Sequence, residues 1–453
     1  MTPLILLLLA QSPSLVSVTG YLDSRTTTAE TLGDGAAGLT ELVEGNVQLK
    51  LTPHERFTVQ VDASLFWQGA WFLHGGDRDS PQYRPLMVLS EAYVDATPQD
   101  SVRLLAGKKR IVWGSGLAFN PTDLINPPKD PTNPTFQRTG AWLGMVEFPF
   151  EKVALSAVVS GKTLQQYAGL PTALVWYPPY PSFEAAQGWV PDVRDDEAHW
   201  AFMSRLYLLV ADTDVTLSLA YTNLYNDAFR NKTRPGLSLS RTFGGLELHG
   251  EALWQTGSPR VEVTDGCEAS PQQCVLRGIP LASRPYLEAD WLNVNAVVGG
   301  RYYFEDGGVF STEYFYNGDG HDPAGFQKLG TLFKQYPALV QAALGASQDP
   351  GTPQQFAFVP LRRHYLLLSY QKPQLFDDWT IFASVLASLE DLSMQLVPQV
   401  SYEPWQWLRL TLAAYIPLPG VPEWGVRIGD DTYGEFTLSP YGTRVLFTAR
   451  AFF

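Results

Sequence analysis

What most limits the fold of this chain is the rhythm of its breaks. Segments of alternating polarity recur from end to end, separated by gaps that are alternately short and mostly long. In residues 57–67, Phe57, Val59, Val61, Ala63, Leu65 and Trp67 alternate with Thr58, Gln60, Asp62, Ser64 and Phe66. A period of two over such a length is a β-strand with one apolar and one wet face. Short breaks such as T-P-Q-D-S (97–101), P-F-E-K (149–152), A-D-T-D (211–214) and F-G-G (243–245) alternate with long ones such as 114–139 and 162–198. Eight short turns and nine loops of the other kind predict eighteen strands. The six residues S-L-E-D-L-S (388–393) break the pattern, standing where a long loop is due.

An even strand count puts both ends of the chain on one side, as closure into a single-chain membrane barrel requires. Past the N-terminus there is no apolar run of eighteen residues, which excludes membrane-spanning helices. Only a closed barrel then satisfies every backbone N–H and C=O inside a bilayer. Strands of about 9–13 residues match a tilted crossing. With 13 Trp and 21 Tyr, the chain has enough aromatics for girdles at the two interfaces. A propeller would show a recurrent motif every 40–50 residues or so, and none is seen.

The final stretch, Y-G-T-R-V-L-F-T-A-R-A-F-F, sets Val445, Phe447, Ala449, Ala451 and Phe453 against Arg444, Leu446, Thr448, Arg450 and Phe452. It resembles the closing strand of bacterial outer-membrane β-barrels, whose terminal Phe is an assembly signal. The expectation is an all-β, antiparallel up-and-down transmembrane barrel of about 18 strands in the outer membrane of a Gram-negative bacterium. The N-terminus, M-T-P-L-I-L-L-L-L-A-Q, reads as a signal peptide over residues 1–10, although no Lys or Arg precedes its short apolar core. Residues 11–453 then form one barrel. Cys267 and Cys274, seven apart and the only cysteines, predict a local disulfide in an oxidising compartment.

Net charge is −14, which argues against nucleic acid as a partner. Neither a metal-ligand set nor a cofactor motif is recognisable. The six His fall in no catalytic spacing, and His249 near Ser238 or Ser240 is the one conceivable hydrolytic pair. No enzyme is expected, and no catalytic residue is assigned.

If the apolar phase meets lipid, the other phase lines a lumen wide enough for an aqueous channel. The expected pore-lining and selectivity residues are Lys108, Arg110, Arg205, Arg301, Arg409, Arg444, Arg450, Asp62, Glu91, Asp95, Glu247, Glu251 and Glu313. Asp23, Arg25, Lys50, Gln60 and His249 share that phase. Arg409, Arg444 and Arg450 are expected to form one basic wall, because their strands are neighbours. Patches of one sign are how pores select ions.

Residues 107–123, G-K-K-R-I-V-W-G-S-G-L-A-F-N-P-T-D, resemble the G-R-Q-R-x-x-W-G segment of porin-like outer-membrane families, including alginate-export-type members. Lys109 replaces the usual Gln. Lys108 and Arg110 share a face and are expected in the lumen, with Lys109 near a rim or at a bulge. By analogy with porins, the loop that follows is expected to fold into the pore as a constriction. Residues 170–190 carry the stiff aromatic run W-Y-P-P-Y-P-S-F. Residues 324–344 have apolar residues at helical spacing, with Pro337 as a kink, and read as a lid or plug. The implied function is a porin-like channel for passive or gated passage of small polar or anionic solutes. The alternative is a closed-barrel receptor or the membrane part of an export complex.

Overall fold

The computed structural model describes residues 15–31, 37–74, 84–126, 131, 140–162, 199–222, 233–258, 260, 262–279, 282–283, 285–286, 289–335, 360–428, 430–438 and 441–453. In chain order the strands are β1 (Val16–Thr31), β2 (Ala37–His54), β3 (Phe57–His74), β4 (Arg84–Gln99), β5 (Val102–Lys109), β6 (Ala141–Pro149), β7 (Val153–Lys162) and β8 (His199–Val210). They continue with β9 (Thr213–Thr222), β10 (Thr233–Phe243), β11 (Leu246–Thr256), β12 (Glu262–Val263), β13 (Ala282–Ser283), β14 (Leu292–Tyr303) and β15 (Val309–Asn317). Last come β16 (His364–Leu375), β17 (Trp379–Ser388), β18 (Met394–Trp405), β19 (Leu408–Leu418), β20 (Val426–Ile428), β21 (Asp431–Tyr433) and β22 (Tyr441–Phe452).

Eighteen of these form one closed antiparallel sheet, each strand paired with its neighbours in sequence, and β22 pairs back onto β1. Closure removes every sheet edge, so the ladder satisfies the backbone without water. The short pairs β12–β13 and β20–β21 lie inside two loops at the long-loop end. Among the described residues no helix is long and apolar enough to cross a membrane.

Alternation sorts the side chains as the sequence predicts. Leu22, Val47, Leu65, Trp67, Met87, Leu104, Phe202, Leu248, Val298, Leu412, Val445 and Phe447 stand exposed on the outer face. The opposite phase carries Asp23, Glu44, Asn46, Asp62, Ser64, Ser156, Ser218, His249, Glu251, Asn295 and Glu313, all buried. So broad an apolar exterior is stable only against lipid.

Two features differ from expectation. Strands β1–β4 run 16, 18, 18 and 16 residues, well beyond a crossing, so the first outer gap shrinks and this wall stands tall. Strand β5 ends at Lys109 and not at Trp113, because the chain leaves the wall there and turns inward.

Candidate functional site: the lumen and its third loop

The third long loop (L3, residues 110–140) leaves β5 through Ile111 and Trp113, both buried. They pack with Ile125 against Leu105, Leu143, Met145, Val158, Met203 and Ala220. These wall residues sit on the inward phase of β5–β9, where a water-filled pore would want polar groups. They are apolar because they meet protein, and each buried side chain of this size contributes about 2 kcal/mol.

Beyond Gly114, whose φ of 101° suits glycine, the loop crosses to the far wall. Glu251 of β11 accepts the Gly116 N–H at 2.6 Å and the Thr122 hydroxyl at 2.7 Å, with Asn120 Nδ2 at 3.3 Å. A Cβ at Gly114 would lie 2.6 Å from Glu251 Oε1, so the close approach requires glycine. Glu313 of β15 accepts the N–H groups of Leu117, Ala118 (2.8 Å) and Phe119 (3.4 Å), and faces His249 Nε2 at 2.8 Å. His249 and Glu313 stand on either side of Gly299 of β14. A Cβ there would come within 2.7 Å of both, so Gly299 is the window through which they meet. Phe119 stacks on Phe315 at 4.3 Å, in a buried cluster with Ala118, Val297, Tyr365, Leu367, Leu386 and Phe436. The expected inward loop is therefore present, anchored on two opposed walls.

The other half of the lumen is polar. Asp23 Oδ2 accepts Arg25 Nε and Arg450 Nη2, each at 2.8 Å, and Arg25 Nη2 reaches Glu44 Oε2 at 2.6 Å. Ser64 donates to Glu44, while Asn46 and Gln48 donate to Asp62. Lower on the wall Asp95 takes Arg103 at 2.6 Å. Arg409 holds Glu403 at 2.7 Å.

The register of β4–β6 places the two adjacent lysines, Lys108 and Lys109, in different surroundings. Lys108 stands opposite Ala92 and Trp142, on the phase of the exposed Trp142, and its Nζ donates to the Leu89 carbonyl beside a register shift in β4. Lys109 is the one that turns inward, 3.7 Å from Asp95 and over the Tyr93 ring. On β5 Leu104 and Ala106 are exposed and Leu105 is buried, so Lys109 falls on the inner phase by plain alternation, while Lys108 is itself buried. Arg110 donates its backbone N–H to Glu91 on the inner wall.

Glu251 and Glu313 face inward, yet both are buried beneath L3. Arg205 lies between Trp113 of L3 and Tyr207, its guanidinium 5.7 Å from each ring, so L3 covers it too. Arg301 stands opposite Glu247, whose carboxylate accepts the Tyr303 hydroxyl at 3.0 Å. Arg409 and Arg450 are direct cross-strand neighbours, but each has an acidic partner. Arg444 is six residues from Arg450, about 20 Å along the strand, with its guanidinium over Tyr415. The expected basic wall is therefore two neutralised arginines and a remote third.

At the long-loop end the described loop segments pack on one another. Helix α1 (Pro271–Leu276) sits in the loop closed by the Cys267–Cys274 disulfide. Helix α2 (Pro323–Gln335) is the expected amphipathic helix, and its continuation past 335, Pro337 included, lies outside the described residues, as does the aromatic run at 170–190. Phe326, Leu329 and Leu332 pack on Val263, Leu361, Val426 and Leu438, so α2 seats on neighbouring loops.

The last loop, 419–440, dips in at Glu435. This carboxylate accepts the Leu361 N–H (2.8 Å) and the Tyr365 hydroxyl (2.6 Å), and its own N–H donates to Asp391 at 3.0 Å. Burial pushes the Glu435 carboxyl up to about 8, with Asp391 adding to the rise. Asp391 belongs to the short S-L-E-D-L-S break and also holds Ser393 (2.7 Å), so that loop is short because it is a buried fastening. Burial and the nearby Arg260 hold His321 down to about 4.

His249 engages Glu313, and among the described residues no hydrogen bond joins it to Ser240, its register partner on β10, or to Ser238, which donates to Ser115. Nor does any group of three His, Cys, Asp or Glu among them suit a metal ion.

Closed strands, apolar exterior and inward loop together define a porin-like β-barrel fold with transmembrane strands. No protein-family model matches the chain, and no curated protein does. Among solved structures it is similar to Pseudomonas aeruginosa OpdQ, at 9% identity and a TM-score of 0.50 over 97% of this chain and 98% of that one. It is also similar to P. aeruginosa OccK7 (OpdD), at 10% identity and a TM-score of 0.49 over 97% and 98%. A mutant of Rh. blastica porin aligns at 11% identity with a TM-score of 0.40 over 97% and 100%. At such identities the likeness concerns the fold alone, and only the OpdQ comparison bears on it.

Proposed function

We propose that the protein is an outer-membrane channel for passive or gated passage of small polar or anionic solutes. The observation that carries this reading is the division of the lumen. L3 is fixed against β5–β9 on one side and β11–β17 on the other, while the wall of β1–β4, β19 and β22 carries partly exposed arginines with their acidic partners. A constriction with a polar margin passes small hydrated molecules and rejects large ones. On this reading residues 1–10 are a signal peptide, 11–453 the mature barrel, outer-membrane lipid its surroundings, and no cofactor or nucleic acid takes part. The segment at 107–123 supports a place among porin-like families of the alginate-export type.

A closed-barrel receptor or export component is the second reading, favoured by one feature: the apolar seat of α2 across the loops at the long-loop end. Swelling of liposomes containing the purified chain separates the two. The channel predicts swelling in small sugars and amino acids that falls with solute size. Liposomes that stay inert to every solute below about 200 Da contradict it.

A further inference from the structure

Two guanidiniums and two carboxylates meet where the barrel closes. Asp23 is fully buried, whereas the side chains of the arginines it holds, Arg25 and Arg450, remain 19% and 29% exposed toward the lumen. Glu44, nearly buried, takes the second face of Arg25 at 2.6 Å. The four charges cancel. One register step away, Arg409 faces Arg450 across β19–β22 and is itself neutralised by Glu403 at 2.7 Å. Across the polar margin, Asp95 binds Arg103 at 2.6 Å and Lys109 at 3.7 Å. Arg25, Arg450 and Arg103 are thus the more open partners of the carboxylates behind them, while the Arg409–Glu403 and Lys109–Asp95 pairs are about equally open.

A ring of one sign enriches its counter-ion and repels its co-ion. Contact pairs leave no such long-range field. They leave alternating local charges, to which a free anion or cation gains little but a molecule bearing both can align. We propose that Asp23 sets the ion preference of this pore, and that the path takes small zwitterionic or neutral polar solutes with little preference between free anions and cations. The inference rests on the channel reading and narrows its solute.

The test is the reversal potential of the full-length purified chain in planar bilayers under a KCl gradient, with liposome swelling in glycine and in acetate alongside. The wild type should give a chloride-to-potassium permeability ratio between about 0.3 and 3, and glycine should enter at least as fast as acetate. Asp23→Asn leaves one guanidinium in excess and should raise the ratio about threefold or more. Glu44→Gln should do the same, and it carries the test if Asp23→Asn does not fold. A conducting wild type with a ratio outside about 0.3–3, on either side, overturns the balanced-charge inference and leaves the channel standing. An unchanged ratio in both variants does likewise. Absence of any current overturns the channel reading itself.

Discussion

Gly299 is a residue whose worth lies in having no side chain. His249 and Glu313 meet over it, and Glu313 in turn holds three consecutive N–H groups of L3. Gly299→Ala should push the pair apart and loosen L3, seen as noisier and larger single-channel currents at unchanged strand content. Glu313→Ala goes further, stranding buried donors, and should lower stability by about 3 kcal/mol in denaturant titration. At this scale the sequence was only half informative. The inward phase of Glu251 and Glu313 was readable from alternation, but a carboxylate that lines water and one that grips a loop look alike in one dimension. Lys109, expected near a rim or a bulge, turns toward Asp95, and Lys108 is buried against the Leu89 carbonyl beside the β4 bulge, contacts that no local residue type announces. A usable signal for the docking did exist: apolar residues on both phases of 141–145 and 201–203 mean that the inner wall there meets protein.

Among the elements, the last loop behaves as a fastening with a titratable pin. Undocked, the Glu435 carboxyl titrates near 4.5; docked, it is raised to about 8. A raised carboxyl favours the docked form fully below about 4.5, progressively less above it, and not at all beyond about 8. Proteolytic cleavage within residues 419–440 should therefore accelerate as pH rises from 6 to 9, and Glu435→Gln should flatten that profile. A wild-type rate that does not change with pH would contradict the pin. His321, held near 4, adds no transition between pH 5 and 8. Helix α2 was legible from its apolar spacing, and its seat was not, since Val263, Val426 and Leu438 come from loops far apart in sequence. The short S-L-E-D-L-S break likewise stood out in the sequence as an exception, and only the fold gives it a cause.

For the whole molecule, strand number, parity and facing follow from the chain's period and its breaks, because a barrel admits one apolar and one wet phase per strand. How the lumen is filled does not follow from them, since L3 and the loop caps act across distances that periodicity cannot encode. The account's central claim is that L3, gripped by Glu251 and Glu313, constricts a solute path running beside the polar wall. Single-channel recording of the wild type beside the Glu251→Gln, Glu313→Gln double variant tests this most directly. The account predicts discrete current steps in the wild type and steps at least about twofold larger in the variant. Silence from both proteins, or steps of equal size, would contradict it.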